Sequence, residues 1–275
     1  MPLPLRHARV PLMLTDTQLE RYARHIVLRE IGGAGQVKLL GAHVAIVGAG
    51  GIGCPAIAYL AAAGVGTLRV IDPDSVSLSN LQRQILFGAD DIGRPKGEAA
   101  RDAAHRLNPD CHLIPINQRL DAANAATLLR DVDVILDGCD NFETRLAVSD
   151  AATALRTPLV TAAVGQFEGQ LAVWRGWEEG QPCYRCLVGA DPGRAGQNCA
   201  EDGIVGALTG ILGTLAALEA IRLIVPFGTE MAGTLTIADL LGGRFRRLAI
   251  PPDPACPACA AHKQAHAQPQ AHQPA

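Results

Sequence analysis

Two cysteine pairs of the form C-x-x-C stand far apart in the chain, Cys183-Tyr-Arg-Cys186 and Cys256-Pro-Ala-Cys259. Four thiolates make a closed tetrahedral donor set, the usual structural Zn²⁺ site. Redox dithiols are the competing use, but neither pair follows the first strand of a thioredoxin-like unit. Zinc binding is worth on the order of 10–16 kcal/mol in simple zinc peptides, comparable with whole-domain stabilities of about 5–15 kcal/mol. Such a site would pin the C-terminal segment to the rest of the domain. A second constellation is Gly48-Ala-Gly50-Gly51-Ile52-Gly53, a G-x-G-x-x-G turn. Its glycines permit a tight turn and let a phosphate approach a helix N-terminus, while Asp72, at the end of the next predicted strand, can accept hydrogen bonds from ribose hydroxyls. This pattern alone suits NAD as well as ATP.

The segment after Asp72 argues for a triphosphate. It runs Asp72-Pro-Asp-Ser-Val-Ser-Leu-Ser79-Asn80-Leu81-Gln82-Arg83-Gln84, and Lys96 follows Pro95. Lysine occurs only at Lys38, Lys96 and Lys263, so one placed here is conspicuous. Arg83 and Lys96 can neutralise phosphate oxygens and Asn80 can orient one by hydrogen bonding; the alternative is a solvated loop with surface charges. Asp137-Gly-Cys-Asp140-Asn141 lies just beyond a predicted strand's carboxyl end, where ligands bind in open α/β sheets. Asp140 is either a Mg²⁺ ligand acting with phosphate oxygens or a cap for the next helix, a role Asn141 fits at least as well.

The remaining cysteines divide in two. Cys54, Cys111 and Cys139 read as small buried hydrophobes. Cys199 lies in a polar, glycine-rich loop, as an exposed nucleophile or a bystander. Arg21 and Arg24 share a helical face outside the nucleotide fold, as a solvated basic stripe or as an arginine finger reaching a neighbouring subunit's phosphates. The histidines show no metal-ligand spacing.

These groups need a scaffold, and the periodicity supplies one. Strands are expected at 43–47, 67–72, 112–116, 132–137 and 158–163. Helices are expected at 52–63, 96–107, 121–130 and 142–155. The alternation implies right-handed βαβ units and a largely parallel, Rossmann-like sheet. Residues 170–174, 234–239 and 245–250 alternate as strands able to pair antiparallel, with a long helix at 205–225 between them. A helix is expected from Thr15 to about Arg29, broken by Gly32, Gly33 and Gly35. The expected organisation is an N-terminal arm at 1–14, one domain at 15–259 and a disordered tail at 260–275.

Composition bounds the rest. With 275 residues, 48% of them hydrophobic, the chain can bury a sizeable core. A net charge of −3 gives no bulk attraction to nucleic acid or anionic membrane. The apolar stretch at 203–218 reads as a buried core helix, short of a comfortable span of ~30 Å of hydrocarbon. No signal peptide is read at the N-terminus, so a cytoplasmic location with free or metal-bound thiols is expected.

In combination these motifs resemble the ThiF/MoeB family of adenylating enzymes, bacterial relatives of ubiquitin-activating enzymes. The resemblance runs from about Thr15 to Cys259. It rests on Arg21-Tyr-Ala-Arg24, the glycine turn, the 72–84 segment, Pro95-Lys96, Asp140-Asn141 and both cysteine pairs. It implies ATP at Gly48, Gly50, Gly51 and Gly53, with Ser79, Asn80, Leu81, Gln82 and Asn141 around it, and the ribose on Asp72. It further implies phosphates on Arg83 and Lys96, Mg²⁺ at Asp140, and a homodimer in which Arg24 serves the partner's site. The implied substrate is the C-terminal Gly-Gly of a ubiquitin-like sulfur carrier, MoaD or ThiS, with the MoeB-type assignment leading. Its carboxylate attacks the α-phosphorus of ATP and pyrophosphate leaves. Cys199 aligns with a cysteine that some members use to attack the adenylate or carry sulfur. No rhodanese segment follows, so the sulfur donor is expected to be another protein. A non-catalytic carrier-binding subunit of the same fold and an NAD-dependent oxidoreductase are the competing readings.

Overall fold

The structure, a computed structural model, describes residues 13–189 and 203–260. Two short helices, α1 (Asp16–Arg21) and α2 (Ala23–Ile26), precede α3 (Gly32–Gly41). An alternating run follows: β1 (His43–Val47), α4 (Gly53–Ala62), β2 (Thr67–Ile71), α5 (Lys96–Leu107), β3 (His112–Ile116), α6 (Ala125–Leu129), β4 (Val134–Asp137), α7 (Phe142–Leu155) and β5 (Leu159–Gly165). The chain then continues through β6 (Glu168–Trp174), α8 (Tyr184–Val188), α9 (Gly206–Ile224), β7 (Thr234–Asp239) and β8 (Arg244–Ala249).

The eight strands form one sheet in the order β3-β2-β1-β4-β5-β6-β7-β8. From β3 to β5 the pairs are parallel, and from β5 to β8 antiparallel. The Rossmann-like reading therefore holds, and the order of the last strands is a simple antiparallel run.

Helices cover both faces of the parallel half, which explains its nearly unbroken apolar strands. Within β1, Val44 and Ile46 join a core with α4, α5 and α9, while Ala45 and Val47 join a second core with α6 and α7. The two-residue period of a strand thus divides one short segment between two cores. Helix α9 is long and apolar enough to cross a membrane, but here Leu208, Leu212, Ala216, Ala217 and Ala220 are buried in the first core. At the far edge, β8 exposes every residue, and its three arginines suit an open sheet edge.

The expected helix at 15–29 is two helices. Thr15 caps α1, accepting from Gln18 N–H while the Gln18 side chain accepts from Thr15 N–H. The break falls at Tyr22, whose ring is buried and whose hydroxyl accepts a 2.8 Å hydrogen bond from Asn108. Gly32, Gly33 and Gly35 open α3 and do not end a helix. Gly35 is required for packing, because a Cβ there would lie 2.9 Å from Val225 Cγ1. The helix expected at 121–130 is confined to α6, since Asp121 and Asn124 form a hydrogen-bonded turn before it. Helix α8 had no periodic signal in the sequence. Residues 1–12 of the expected arm and 261–275 of the expected tail lie outside the described residues.

Candidate nucleotide site and four-cysteine centre

Strand order reverses at β1, which has β2 on one side and β4 on the other. The carboxyl ends of β1 and β4 therefore open a crevice, the usual ligand position in such sheets. A cleft of about 1260 Å³ lies there. Its wall includes Gly48, Gly50 and Gly51 after β1, Asp72 and Asp74 after β2, Ser79, Asn80, Gln82, Arg83 and Lys96 from the loop leading to α5, and Asp140 and Asn141 after β4.

The turn between β1 and α4 depends on close backbone approach. Gly48 has φ +91°, in the left-handed region that glycine tolerates. Gly53 does not line the cleft; a Cβ on it would lie 1.9 Å from Gly48 O, so its role is to seat α4 on the strand. The amide of Ala49 donates to Asp72 Oδ2 at 2.7 Å, and that of Asp74 donates to Asp72 Oδ1 at 2.8 Å. Asp72 is thus buried under the turn. Burial pushes its carboxyl above the ordinary value, opposed by Lys96 and the two amides.

Lys96 is 5% exposed. Its Nζ lies 2.8 Å from Asp74 Oδ2 and 3.9 Å from Asp72 Oδ1. Arg83 is half-buried and Nη1 donates to Ser79 O at 3.1 Å, which folds the loop back on itself. Asn80 Oδ1 accepts from Ser77 N–H at 3.2 Å, and the Ser77 and Ser79 hydroxyls are 3.1 Å apart. Leu81 is the exception in this segment: it packs against the first core and does not line the cleft. Gln84 was only part of a motif in the sequence, yet its side chain is buried at the cleft wall with Oε1 lacking a hydrogen-bond partner among the described residues. An orphaned acceptor of this kind is costly unless a ligand satisfies it.

At the end of β4 the cap question is resolved. Asn141 caps α7, its side chain accepting from Thr144 N–H at 2.9 Å. Asp140 is left exposed on the cleft wall, free for a cation. One exposed carboxylate on the cleft wall fits the way Mg²⁺ is commonly held, through few protein ligands plus substrate oxygens. Below it, the buried Arg145 donates through Nη2 to the carbonyl oxygens of Cys139 and Ala162. No sequence pattern marked Arg145.

Besides Gly53 and Leu81, one further expected site residue among the described residues does not line the cleft. Arg24 is exposed on α2 and is absent from the cleft wall. Its neighbours are anchored: Tyr22 to Asn108, and His25 with Nδ1 3.0 Å from Gln36 Oε1. Cys199 lies outside the described residues. Cys54, Cys111 and Cys139 are buried, as expected. Burial pushes the Cys54 and Cys111 thiols up to about 12.

The two C-x-x-C pairs meet. Cys183, Cys186, Cys256 and Cys259 place their sulfurs within 4.8 Å of one another. The Cys183–Cys186 separation is 3.9 Å, and Cys183–Cys256 and Cys186–Cys259 are each 3.5 Å. A tetrahedron with metal–sulfur bonds of about 2.3 Å has edges of about 3.8 Å, so the donor set fits a zinc-sized ion. Burial, then the neighbouring thiols, push Cys183 up and Cys259 up to about 11. A dication compensates that repulsion.

The model of the ThiF family matches residues 22–258. The "Sulfur carrier protein ThiS adenylyltransferase" of Escherichia coli K12 is 45% identical, over 90% of this chain and 97% of that protein. The "Molybdopterin-synthase adenylyltransferase" of the same organism is 41% identical, over 90% of this chain and 98% of that protein. Among solved structures, E. coli MccB crystallised with ATP superposes with a TM-score of 0.75 at 22% identity, covering 87% of this chain and 74% of that one; at this identity the likeness concerns the fold. The glycine turn, the cation-lined cleft and three of the four cysteines fall within the matched span, with Cys259 one residue beyond it, and the chain belongs to the ThiF family.

Proposed function

We propose that this protein uses ATP to adenylate the C-terminal Gly-Gly carboxylate of a ubiquitin-like sulfur carrier. A MoaD-type carrier is the first candidate and a ThiS-type carrier the second. The observation that carries the reading is one cleft at the β1/β4 switch point lined by the glycine turn, Arg83, Lys96 and Asp140. Relatives named for adenylation of such carriers, at 41–45% identity over nine-tenths of the chain, support it.

The chemistry suits these residues. A carboxylate is a poor acyl electrophile, because oxide leaves badly. Its oxygen attacks the α-phosphorus, the bond to the β-phosphate oxygen breaks, and pyrophosphate carries away the electron pair. The carboxyl product becomes a mixed anhydride with AMP. No protein base is required, since the attacking carboxylate is already ionised at neutral pH. Catalysis is then alignment and neutralisation of charge. The glycine turn and the α4 N-terminus receive phosphate, Asp72 fixes the ribose, and Lys96 and Arg83 balance the departing pyrophosphate. Asp140 would hold Mg²⁺, which would supply further neutralisation of phosphate charge.

Arg24, absent from its own cleft wall, completes the site of the second subunit in a homodimer. The ion at the four cysteines is Zn²⁺ with a structural role, for its ligand shell is closed. Cys199 enters only after activation, its thiolate displacing AMP from the adenylate. Sulfur comes from another protein.

Intact-mass measurement of a MoaD-like carrier incubated with protein, ATP and Mg²⁺ tests the reading. An added AMP moiety on the carrier, absent when its last glycine is deleted, is the expected result. An unmodified carrier with either carrier type, under conditions where ATP binds, would overturn it.

A further inference from the structure

Tyr184 sits between the two cysteines of the first knuckle, yet its ring reaches the nucleotide cleft. Its position is fixed from several sides. The ring meets Trp174 edge-on, with centroids 5.9 Å apart at 72°, and Trp174 Nε1 donates to Thr161 Oγ1 at 2.8 Å. The next residue, Arg185, makes two bonds to Asp150 of α7, at 2.7 and 2.8 Å. The knuckle is therefore docked on α7, the helix that Asn141 caps.

From there a polar chain leads to the cleft wall. The Arg145 guanidinium, also on α7, stands close enough to the Tyr184 hydroxyl to interact with it, and both side chains line the cleft. Its Nη2 bridges the Cys139 and Ala162 carbonyls. Cys139 immediately precedes Asp140, and its amide donates to the fully buried Asp137 at 3.0 Å. The second Asp137 oxygen has no hydrogen-bond partner among the described residues, and the Arg145 charge acts on this carboxylate. The turn bearing Asp140 is thus held from beneath by one arginine, and that arginine faces a tyrosine from the cysteine knuckle.

We propose that Arg145 is a positioning residue for the Asp140 turn, and that through Tyr184 the four-cysteine centre sets the geometry of the cleft as well as tethering the C-terminal segment. This inference rests on the adenylating role of the cleft. The four-cysteine site and the reacting centre are then two ends of one run of polar contacts along α7.

Tyr184→Phe is the informative variant, because it deletes one hydroxyl and keeps the ring against Trp174. The intact protein is assayed three ways. Metal content per chain is expected to match wild type. The Mg²⁺ concentration giving half-maximal ATP–pyrophosphate exchange is expected to rise about 2- to 10-fold, the range one hydrogen bond commands, with a smaller change in the rate at saturating Mg²⁺. Backbone amide exchange of residues 138–145 is expected to accelerate, as it is in wild-type protein stripped of metal. Arg145→Lys, which restores the charge but not the forked geometry, is expected to recover part of the loss seen in Arg145→Met. Unchanged Mg²⁺ dependence together with unchanged amide exchange in Tyr184→Phe would overturn the proposal, as would metal removal that leaves residues 138–145 as protected as before. If wild-type protein supports no nucleotide exchange with any carrier, the adenylating reading fails, while the amide measurements still judge the coupling.

Discussion

Lys96 Nζ lies 2.8 Å from Asp74 Oδ2, and the two partners differ sharply in exposure: the lysine side chain is 7% exposed and the aspartate side chain 59%. The cation is fixed in the cleft wall while its counter-ion is solvated and free to turn away. A phosphate oxygen entering the cleft can take the place of Asp74 without moving the lysine. Charge-stabilising groups preorganised in this way contribute most to catalysis.

Lys96→Met is therefore expected to lower adenylation roughly 100- to 1000-fold, with the far-ultraviolet circular dichroism of wild type. Exchange kinetics at saturating ATP measure it. A rate near wild type would remove Lys96 from the triphosphate site.

The proposed trans role of Arg24 has a distinctive arithmetic. When Arg24→Ala and Asp140→Ala proteins are mixed and their subunits exchange at random, half the dimers are mixed, and each holds one complete site. Roughly a quarter of wild-type activity is expected from two nearly inactive parents. Recovery of none would place Arg24 on a merely solvated surface or in its own subunit's site.

Two glycines make opposite predictions. Gly53→Ala forces a Cβ to within 1.9 Å of Gly48 O, a backbone atom unable to yield cheaply. A loss of about 1–3 kcal/mol or more is expected, along with weakened ATP binding. Gly33→Ala meets nothing within 4 Å at ordinary φ in α3, and a gain of about 0.5–1 kcal/mol is expected. Urea unfolding of both variants checks the pair; equal effects would contradict the packing described here.

Elemental analysis is expected to find about one zinc per chain, and Cys259→Ser to lower both metal content and the thermal midpoint. A metal-free protein of unchanged stability would contradict a structural metal at this site.

The sequence made the strand-borne parts of the site legible. Strands β1 and β3 and helices α5 and α7 fall where apolar runs and turn residues place them, because both faces of the parallel strands are buried and few registers satisfy that. Gly48, Asp72, Lys96 and Asp140 follow, since each sits at the end of a strand or the start of a helix. What stayed hidden depends on contacts distant in sequence. Tyr22 breaks the first helix only because Asn108 receives it. Gly35 looked like a breaker because Val225, far along the chain, is what it fits against. Leu81 shares a motif with cleft residues but faces the core, as a turn of 3₁₀ helix at Leu78–Asn80 redirects it. Arg145 carried no motif, and its importance comes from carbonyl oxygens that only the folded sheet brings together.

The central claim is that this cleft transfers AMP from ATP to a carrier's terminal carboxylate. Its most direct test is exchange of labelled pyrophosphate into ATP by the purified protein, with MoaD-like and ThiS-like carriers ending in Gly-Gly supplied separately. The account predicts exchange that requires a carrier, requires its terminal glycine and is lost in Lys96→Met. Measurable ATP binding with no exchange from either carrier would contradict it.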